Sequence, residues 1–160
     1  MTILLIGNCG SGKTWVMKQL ILEYKMNVSG YVGKAKFKAN DKFIVMGRYN
    51  GSVFDGSDRL SMSVMTDFDS LKKIQEIKNL HIVSEGDRFM NKKFIEIFNP
   101  FIIKISDNGL DGIKKRGSTQ SVRQLKSIST RVKNIKENII VKNSDEALIA
   151  IKKILKNEKN

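Results

Sequence analysis

The sequence feature that most constrains the fold is a glycine-rich octapeptide near the first residue, Gly7-Asn8-Cys9-Gly10-Ser11-Gly12-Lys13-Thr14. It fits the pattern G-x-x-x-x-G-K-[ST] at every fixed position, and it separates a β-branched run at residues 2–6 from helical spacing at residues 13–24. Glycines allow turns that point successive amide groups at one anion, and the first turn of the following helix adds unpaired amides. The octapeptide is therefore predicted to be a phosphate loop.

A phosphate loop of this type predicts how a nucleoside triphosphate binds, and we expect ATP with Mg²⁺. Lys13 is expected to reach the β- and γ-phosphates, and the Thr14 hydroxyl to coordinate Mg²⁺. Cys9 stands at a variable position of the pattern, so we expect a small loop residue there rather than a reactive thiol.

The rest of the chain alternates between strand and helix signals, which is typical of an α/β fold with a mostly parallel central sheet. Strands are predicted at residues 2–6, 80–84, 101–105 and 138–141, and two extended segments at residues 31–49 around the turn at Asn40 and Asp41. Helices are predicted at residues 13–24, 67–78, 91–98 and 143–155, and a basic loop running into a helix at residues 114–136. With no linker or repeat, we expect residues 1–160 to form a single domain.

Charge and cysteine content limit the possible partners. The formal net charge is +13, which favours polyanions such as nucleic acid, although scattered lysines that only solvate the surface would give the same total. Residues 111–136 hold a concentrated share of this charge. One cysteine and the absence of an apolar run of about 18 residues predict a cytoplasmic protein with no membrane partner, in the infected host cell if the chain is viral.

An acidic residue follows the predicted strand at residues 80–84. A phosphate loop needs such an acid to hold Mg²⁺, and Glu85 lies where the carboxyl end of a parallel strand faces the phosphates. Glu85 is the first candidate for the metal shell and Asp87 the second. The alternative is a turn in which Asp87 and Arg88 pair with each other, and His81 is expected to be structural.

A second polar cluster occupies residues 54–60. A kinase needs a base near the acceptor hydroxyl and an arginine to hold an anionic group. Asp58 is the candidate base, Arg59 the candidate clamp and Asp55 the alternate base, while an Asx-turn that caps a helix is the structural alternative. Upstream, Arg48 and Tyr49 are candidates for acceptor contacts, although Tyr49 fits a core position equally well.

The basic segment at residues 114–131 is predicted to be a lid over the triphosphate or a groove for a DNA backbone. A solvated helix face is the plain alternative. Its basic residues are Lys114, Lys115, Arg116, Arg123, Lys126 and Arg131.

In the order of these parts the chain resembles the thymidylate-kinase-like P-loop kinases. Glu85-Gly86-Asp87-Arg88-Phe89 is similar to the Asp-Arg-Tyr element of that family. Gly47-Arg48-Tyr49, Asp55-Gly56-Ser57-Asp58-Arg59-Leu60 and Gln120-Ser121 leading to Lys126 resemble more narrowly a phage branch, which includes 5-hydroxymethyluracil DNA kinases.

The resemblance implies a three-layer αβα P-loop kinase fold with a basic lid. It also implies phosphorylation of the hydroxymethyl group of a modified uracil in DNA, a step in hypermodification that protects a phage genome from host restriction. The implied transfer residues are Lys13, Asp58, Arg59 and Arg123, and the implied substrate residues are Arg48, Asp55, Arg88 and Lys126. Two other functions stay open, namely a nucleoside monophosphate kinase such as a thymidylate kinase, and a non-kinase P-loop ATPase or nucleic-acid-binding module.

Overall fold

The computed structural model describes residues 1–52, 55–76, 80–117 and 120–157. The strands are β1 Thr2–Gly7, β2 Val28–Val32, β3 Ala35–Ala39, β4 Phe43–Met46, β5 His81–Glu85, β6 Phe101–Ile105 and β7 Ile139–Val141. The helices are α1 Lys13–Glu23, α2 Phe68–Glu76, α3 Lys92–Phe98, α4 Leu110–Arg116, α5 Val122–Asn134 and α6 Ser144–Asn157, with a 3₁₀ turn at Ser57–Arg59.

These strands form one sheet in the order β2-β3-β4-β5-β1-β6-β7. From β4 to β7 all neighbours are parallel, while β2 and β3 form an antiparallel extension at the β4 edge. Leu5 of β1 pairs with Glu85 of β5 on one side and with Ile103 of β6 on the other. The central strand therefore ends beside the candidate acid, at the carboxyl edge of the sheet.

Apolar side chains cover both faces of the sheet. Ile3 and Leu5 belong to the core cluster shared with α1 and α6, and Leu4 and Ile6 to the cluster shared with α2, α3 and α5. Side chains alternate between the faces of a strand, so a strand that is covered on both sides has to be apolar throughout. The result is the three-layer αβα arrangement that the resemblance implies, with a buried strand at the run of residues 2–6.

The antiparallel edge is more elaborate than predicted. Residues 31–49 were expected to hold two extended segments, but this region contributes to three strands, and β2 already begins at Val28. Gly33, at φ +58°, lies in the tight connection between β2 and β3. Most of β2 is exposed, so it carries little of the apolar alternation that predicts strands.

The basic segment also differs in detail. It holds two helices, α4 and α5, where one loop followed by a helix was expected. Ser121 and Gln124 form a reciprocal capping box that starts α5. The end of the predicted helix at residues 67–78 and two residues of the predicted lid lie outside the described residues, as does the side chain of Arg116. Among the described helices, none is long and apolar enough to cross a membrane.

Candidate active site

The phosphate loop connects the central strand β1 to α1. Gly10 and Gly12 have φ values of +80° and +87°, in the left-handed region that favours glycine. The Lys13 ammonium donates hydrogen bonds to the carbonyl oxygens of Gly7 (2.9 Å) and Asn8 (2.7 Å). The loop thus curls around its own lysine, and the cation lies among the backbone groups that are predicted to bind phosphate.

The beginning of α4 packs directly on this loop. A Cβ atom on Gly109 would lie 1.8 Å from the Cys9 carbonyl oxygen, and one on Gly112 would lie 2.1 Å from the Gly10 carbonyl oxygen. A Cβ on Gly10 would in turn meet the Gly109 carbonyl oxygen at 2.1 Å. Backbone therefore touches backbone between the phosphate loop and α4, at a distance that only glycine allows. Neither Gly109 nor Gly112 was among the predicted site residues, although two glycines three positions apart just before Lys114 and Lys115 were a visible signal.

Glu85, the predicted metal residue, is buried at the end of β5 with 3% of its surface exposed. Its Oε1 accepts hydrogen bonds from the Thr14 hydroxyl (3.1 Å), the Tyr49 hydroxyl (3.4 Å) and the Ser57 backbone amide (3.4 Å). Burial raises the pKa of the Glu85 carboxyl, and the Lys13 ammonium acts in the opposite direction. The structure thus places the two predicted metal residues, Thr14 and Glu85, in direct contact.

The donor atoms at this point suit Mg²⁺. A hydroxyl and a carboxylate are oxygen ligands of the kind that Mg²⁺ prefers, and that ion commonly keeps water while using one or two protein groups. Thr14 and Glu85 are therefore the residues that would hold it.

Asp87, the second metal candidate, has other partners. Its carboxylate lies 3.4 Å from an Arg88 guanidinium nitrogen and 2.5 Å from an Arg131 guanidinium nitrogen. The geometry matches the alternative of an ion-paired turn, extended by Arg131 from α5. We therefore leave Asp87 out of the proposed metal site and retain Glu85.

The segment predicted to contact an acceptor, here called the acceptor loop, comprises the described residues 47–52 and 55–60. It has a buried anchor at Asp55. Asp55 is 5% exposed, and its Oδ2 accepts from the amides of Asn50 (3.2 Å) and Gly51 (2.9 Å) and lies 3.1 Å from the Lys18 ammonium. Burial by itself raises the pKa of Asp55, but the hydrogen bonds with Lys18 and the two amides outweigh it, and the pKa is lowered. The ion pair with Lys18 of α1 gives Asp55 a structural role. The sequence did not predict this pair, because Lys18 belongs to no motif.

Asp58 and Arg59 have the opposite character, because both are exposed on the 3₁₀ turn. Arg88 secures this turn by donating to the carbonyl oxygens of Leu60 (3.4 Å) and Asp58 (3.5 Å). Arg48 pairs with Gly56 through two backbone hydrogen bonds of 3.1 and 2.8 Å. Of the two candidate bases, Asp58 is the one presented to solvent.

Tyr49 occupies the core position that was the alternative to an acceptor contact. Its ring belongs to the core cluster under α1 and α6, and its hydroxyl contacts Glu85. Burial, and secondarily the Glu85 charge, raise the pKa of Tyr49 well above its usual value, so it acts as a neutral donor.

On α5 the predicted basic residues divide into two groups. Arg123 and Lys126 are exposed near the beginning of the helix, while Arg131 in the last turn is ion-paired with Asp87. The end of α5 is thereby fixed to the β5 side of the site, and its beginning presents cations to solvent.

The fold is similar to a crystal structure of shikimate kinase from Aquifex aeolicus, with a TM-score of 0.52 and 18% sequence identity over 99% of this chain and 98% of that chain. Neither a protein-family model nor a curated protein matches the chain. The likeness establishes the fold, an α/β architecture with a mostly parallel central sheet that this chain shares with that structure. The predicted fold class is confirmed.

Proposed function

We propose that the chain is an ATP-dependent kinase that transfers the γ-phosphoryl group to a hydroxyl acceptor. The observation that carries this proposal is the contact of Thr14 with Glu85 beside Lys13, together with a neighbouring loop that exposes Asp58 and Arg59. A phosphate loop, a candidate metal pair and an exposed base on an adjacent loop are the parts that phosphoryl transfer needs.

On the nucleotide side, the loop amides and Lys13 bind the phosphates of ATP. The Lys13 ammonium exchanges the carbonyl oxygens of Gly7 and Asn8 for phosphate oxygens, since it already lies among the loop groups. Thr14 and Glu85 would hold Mg²⁺, which when bound would neutralise charge that develops on the phosphates. Asn8, Cys9, Gly10, Ser11 and Gly12 contribute main-chain amides.

On the acceptor side, Asp58 is the proposed base. The acceptor hydroxyl oxygen attacks the γ-phosphorus, the bond to the β–γ bridging oxygen breaks, ADP leaves, and the hydroxyl proton passes to Asp58. Arg59 holds an anionic group of the acceptor, and Arg88 keeps the loop in place through the Leu60 and Asp58 carbonyl oxygens. Arg48 and Asp55 support the loop from behind, and Asp55 does so through Lys18.

We further propose that the acceptor is 5-hydroxymethyluracil in DNA. The resemblance of the acceptor loop to the phage branch supports this acceptor, and so do the net charge of +13 and the exposed Arg123 and Lys126 at the beginning of α5. A base that is stacked in a duplex cannot enter such a site, so the modified base has to be flipped out or single-stranded. In a phage the product would lead to further modification of the base and to evasion of restriction.

Transfer of the labelled γ-phosphate of ATP to a panel of acceptors tests the proposal. The panel comprises DNA with 5-hydroxymethyluracil, the same DNA with thymine, and free dTMP and dUMP. Label in the modified DNA alone is the expected result. Label in a free nucleotide would select a monophosphate kinase, and phosphate release without any labelled acceptor would select a P-loop ATPase.

A further inference from the structure

Ser57 carries a buried hydroxyl with an unused hydrogen-bonding capacity. The residue is 1% exposed, and its Oγ makes no hydrogen bond with any described residue. Its backbone amide, in contrast, donates to Glu85 Oε1 at 3.4 Å. A buried hydroxyl without a partner is unfavourable, so a partner from outside the chain is expected.

Two glycines show where this hydroxyl lies. A Cβ atom on Gly86 would lie 2.8 Å from Ser57 Oγ and 3.7 Å from Lys13 Cε, so the hydroxyl and the lysine stem meet the same side of Gly86. A Cβ on Gly56 would lie 2.6 Å from Glu85 Oε1 and 2.9 Å from Thr14 Oγ1. The backbone before Ser57 thus lies against the Thr14–Glu85 pair, and the Ser57 hydroxyl and the Lys13 stem both lie beside Gly86.

From this geometry we infer that Ser57 Oγ accepts a hydrogen bond from a water molecule bound to Mg²⁺ when Thr14 and Glu85 hold that ion. The inference rests on the proposed metal–nucleotide site and goes beyond it by assigning a group from the acceptor loop to the metal. Removal of a group that orients metal-bound ligands in this way typically lowers metal affinity by roughly 10- to 100-fold.

Ser57 would couple metal binding to the position of the proposed base. Ser57 directly precedes Asp58, and both belong to the 3₁₀ turn. A hydrogen bond between Ser57 and a metal-bound water would fix the position of the proposed base, Asp58, when metal and nucleotide bind. The acceptor loop would then be in place before the acceptor arrives.

Binding of Mn²⁺, measured by electron paramagnetic resonance in the presence of a non-hydrolysable ATP analogue and without acceptor, tests the inference. Ser57→Ala is expected to weaken Mn²⁺ binding by about tenfold, and to leave affinity for the analogue in EDTA unchanged. Ser57→Cys, which keeps a side chain of similar size but whose sulfur is a weak acceptor, is expected to show the same loss. Ser84→Ala is the matched control, because Ser84 is also buried beside Glu85 but its hydroxyl already donates to the Ile3 carbonyl oxygen at 3.2 Å.

Unchanged Mn²⁺ affinity in folded Ser57→Ala or Ser57→Cys would overturn the inference, and so would an equal loss in EDTA or in Ser84→Ala. The proposed function is tested separately in the same series. If the wild-type protein binds Mn²⁺ with the analogue and Ser57 has no effect, only the present assignment fails. If the wild-type protein binds neither, both fail.

Discussion

At the scale of single residues, the site depends on one cation inside the phosphate loop. Lys13 already hydrogen-bonds two loop carbonyls, so its ammonium is placed for phosphate without a large rearrangement. We expect Lys13→Ala to lower phosphoryl transfer about a hundredfold or more, because charge on the transferring group loses its nearest fixed cation. Lys153→Ala, which removes an exposed lysine from α6, is the control. Equal activity of the two variants in the labelled-phosphate assay would contradict the role of Lys13.

The two carboxylates of the acceptor loop are expected to behave differently. Asp58→Asn should reduce turnover and leave binding of an ATP analogue unchanged, because Asp58 is exposed and proposed to act only as a base. Asp55→Asn should lower the urea midpoint instead, because it breaks the ion pair with Lys18. Turnover and nucleotide affinity measured for both variants check this. A joint loss of turnover and binding in Asp58→Asn would show that the base is misassigned.

Asp67 provides a prediction about pH. Hydrogen bonds from the Ser70 hydroxyl and the Lys34 ammonium, then from the Ser70 amide, lower the pKa of Asp67 to about 2. Since the folded pKa lies below the unfolded one, the ionised carboxylate stabilises the fold above about pH 4, and this contribution disappears as the pH falls toward 2. The difference in urea midpoint between the wild type and Asp67→Ala should therefore be present at pH 6 and nearly absent at pH 2. A difference in urea midpoint that grows as the pH falls would contradict the prediction.

Single residues also show what can be predicted from the sequence. The phosphate loop is a local pattern, so every residue of it could be named in advance. The contacts of Tyr49, Ser57 and Lys18 join parts of the chain that are far apart in sequence, and no spacing rule connects them. The position of Glu85 at the end of a strand could be predicted, because an apolar run ends at it. The ion pair of Asp87 with Arg131 could not, because it depends on where α5 packs.

At the scale of secondary-structure elements, α4 and the phosphate loop form a glycine-to-backbone contact. Gly109→Ala should destabilise the protein and weaken nucleotide binding, because its Cβ would lie 1.8 Å from the Cys9 carbonyl oxygen. Gly117→Ala is a matched control at the other end of α4. Its φ of +58° is also left-handed, yet apart from its own helix and chain neighbours no described residue has an atom within 4 Å of the added Cβ. Both variants carry the same type of backbone strain, at a cost of about 1–2 kcal/mol. Urea denaturation and analogue binding should separate them, and identical behaviour would show that the contact with the loop has no effect.

The elements that were predicted correctly are those with a clear burial pattern. Strands β1, β5 and β6 are apolar because helices cover both of their faces, and such runs are visible in the sequence. Strand β2 is an exposed edge, and α4 contains Gly112, so neither has the apolar spacing by which elements are recognised.

At the scale of the whole molecule, the net charge of +13 predicts how DNA binding depends on salt. Affinity for DNA should fall steeply with salt concentration, because phosphate contacts release counterions. The double variant Arg123→Ala/Lys126→Ala should reduce the log–log slope by about two, if each residue contacts one phosphate. Lys153→Ala should leave the slope as it is. If DNA affinity of the wild type did not depend on salt, the basic segment would be only a lid over the triphosphate and not a DNA-binding groove.

The proposed kinase activity requires that a triphosphate and a divalent cation bind together at Lys13, Thr14 and Glu85. Isothermal titration calorimetry with a non-hydrolysable ATP analogue, with Mg²⁺ and then with EDTA, measures this most directly. We predict that the wild type binds the analogue more tightly with Mg²⁺, and that Glu85→Gln loses this difference because Glu85, in contact with Thr14, is the proposed carboxylate ligand of the ion. Wild-type protein without affinity for the analogue, or with the same affinity in Mg²⁺ and EDTA, would contradict the account.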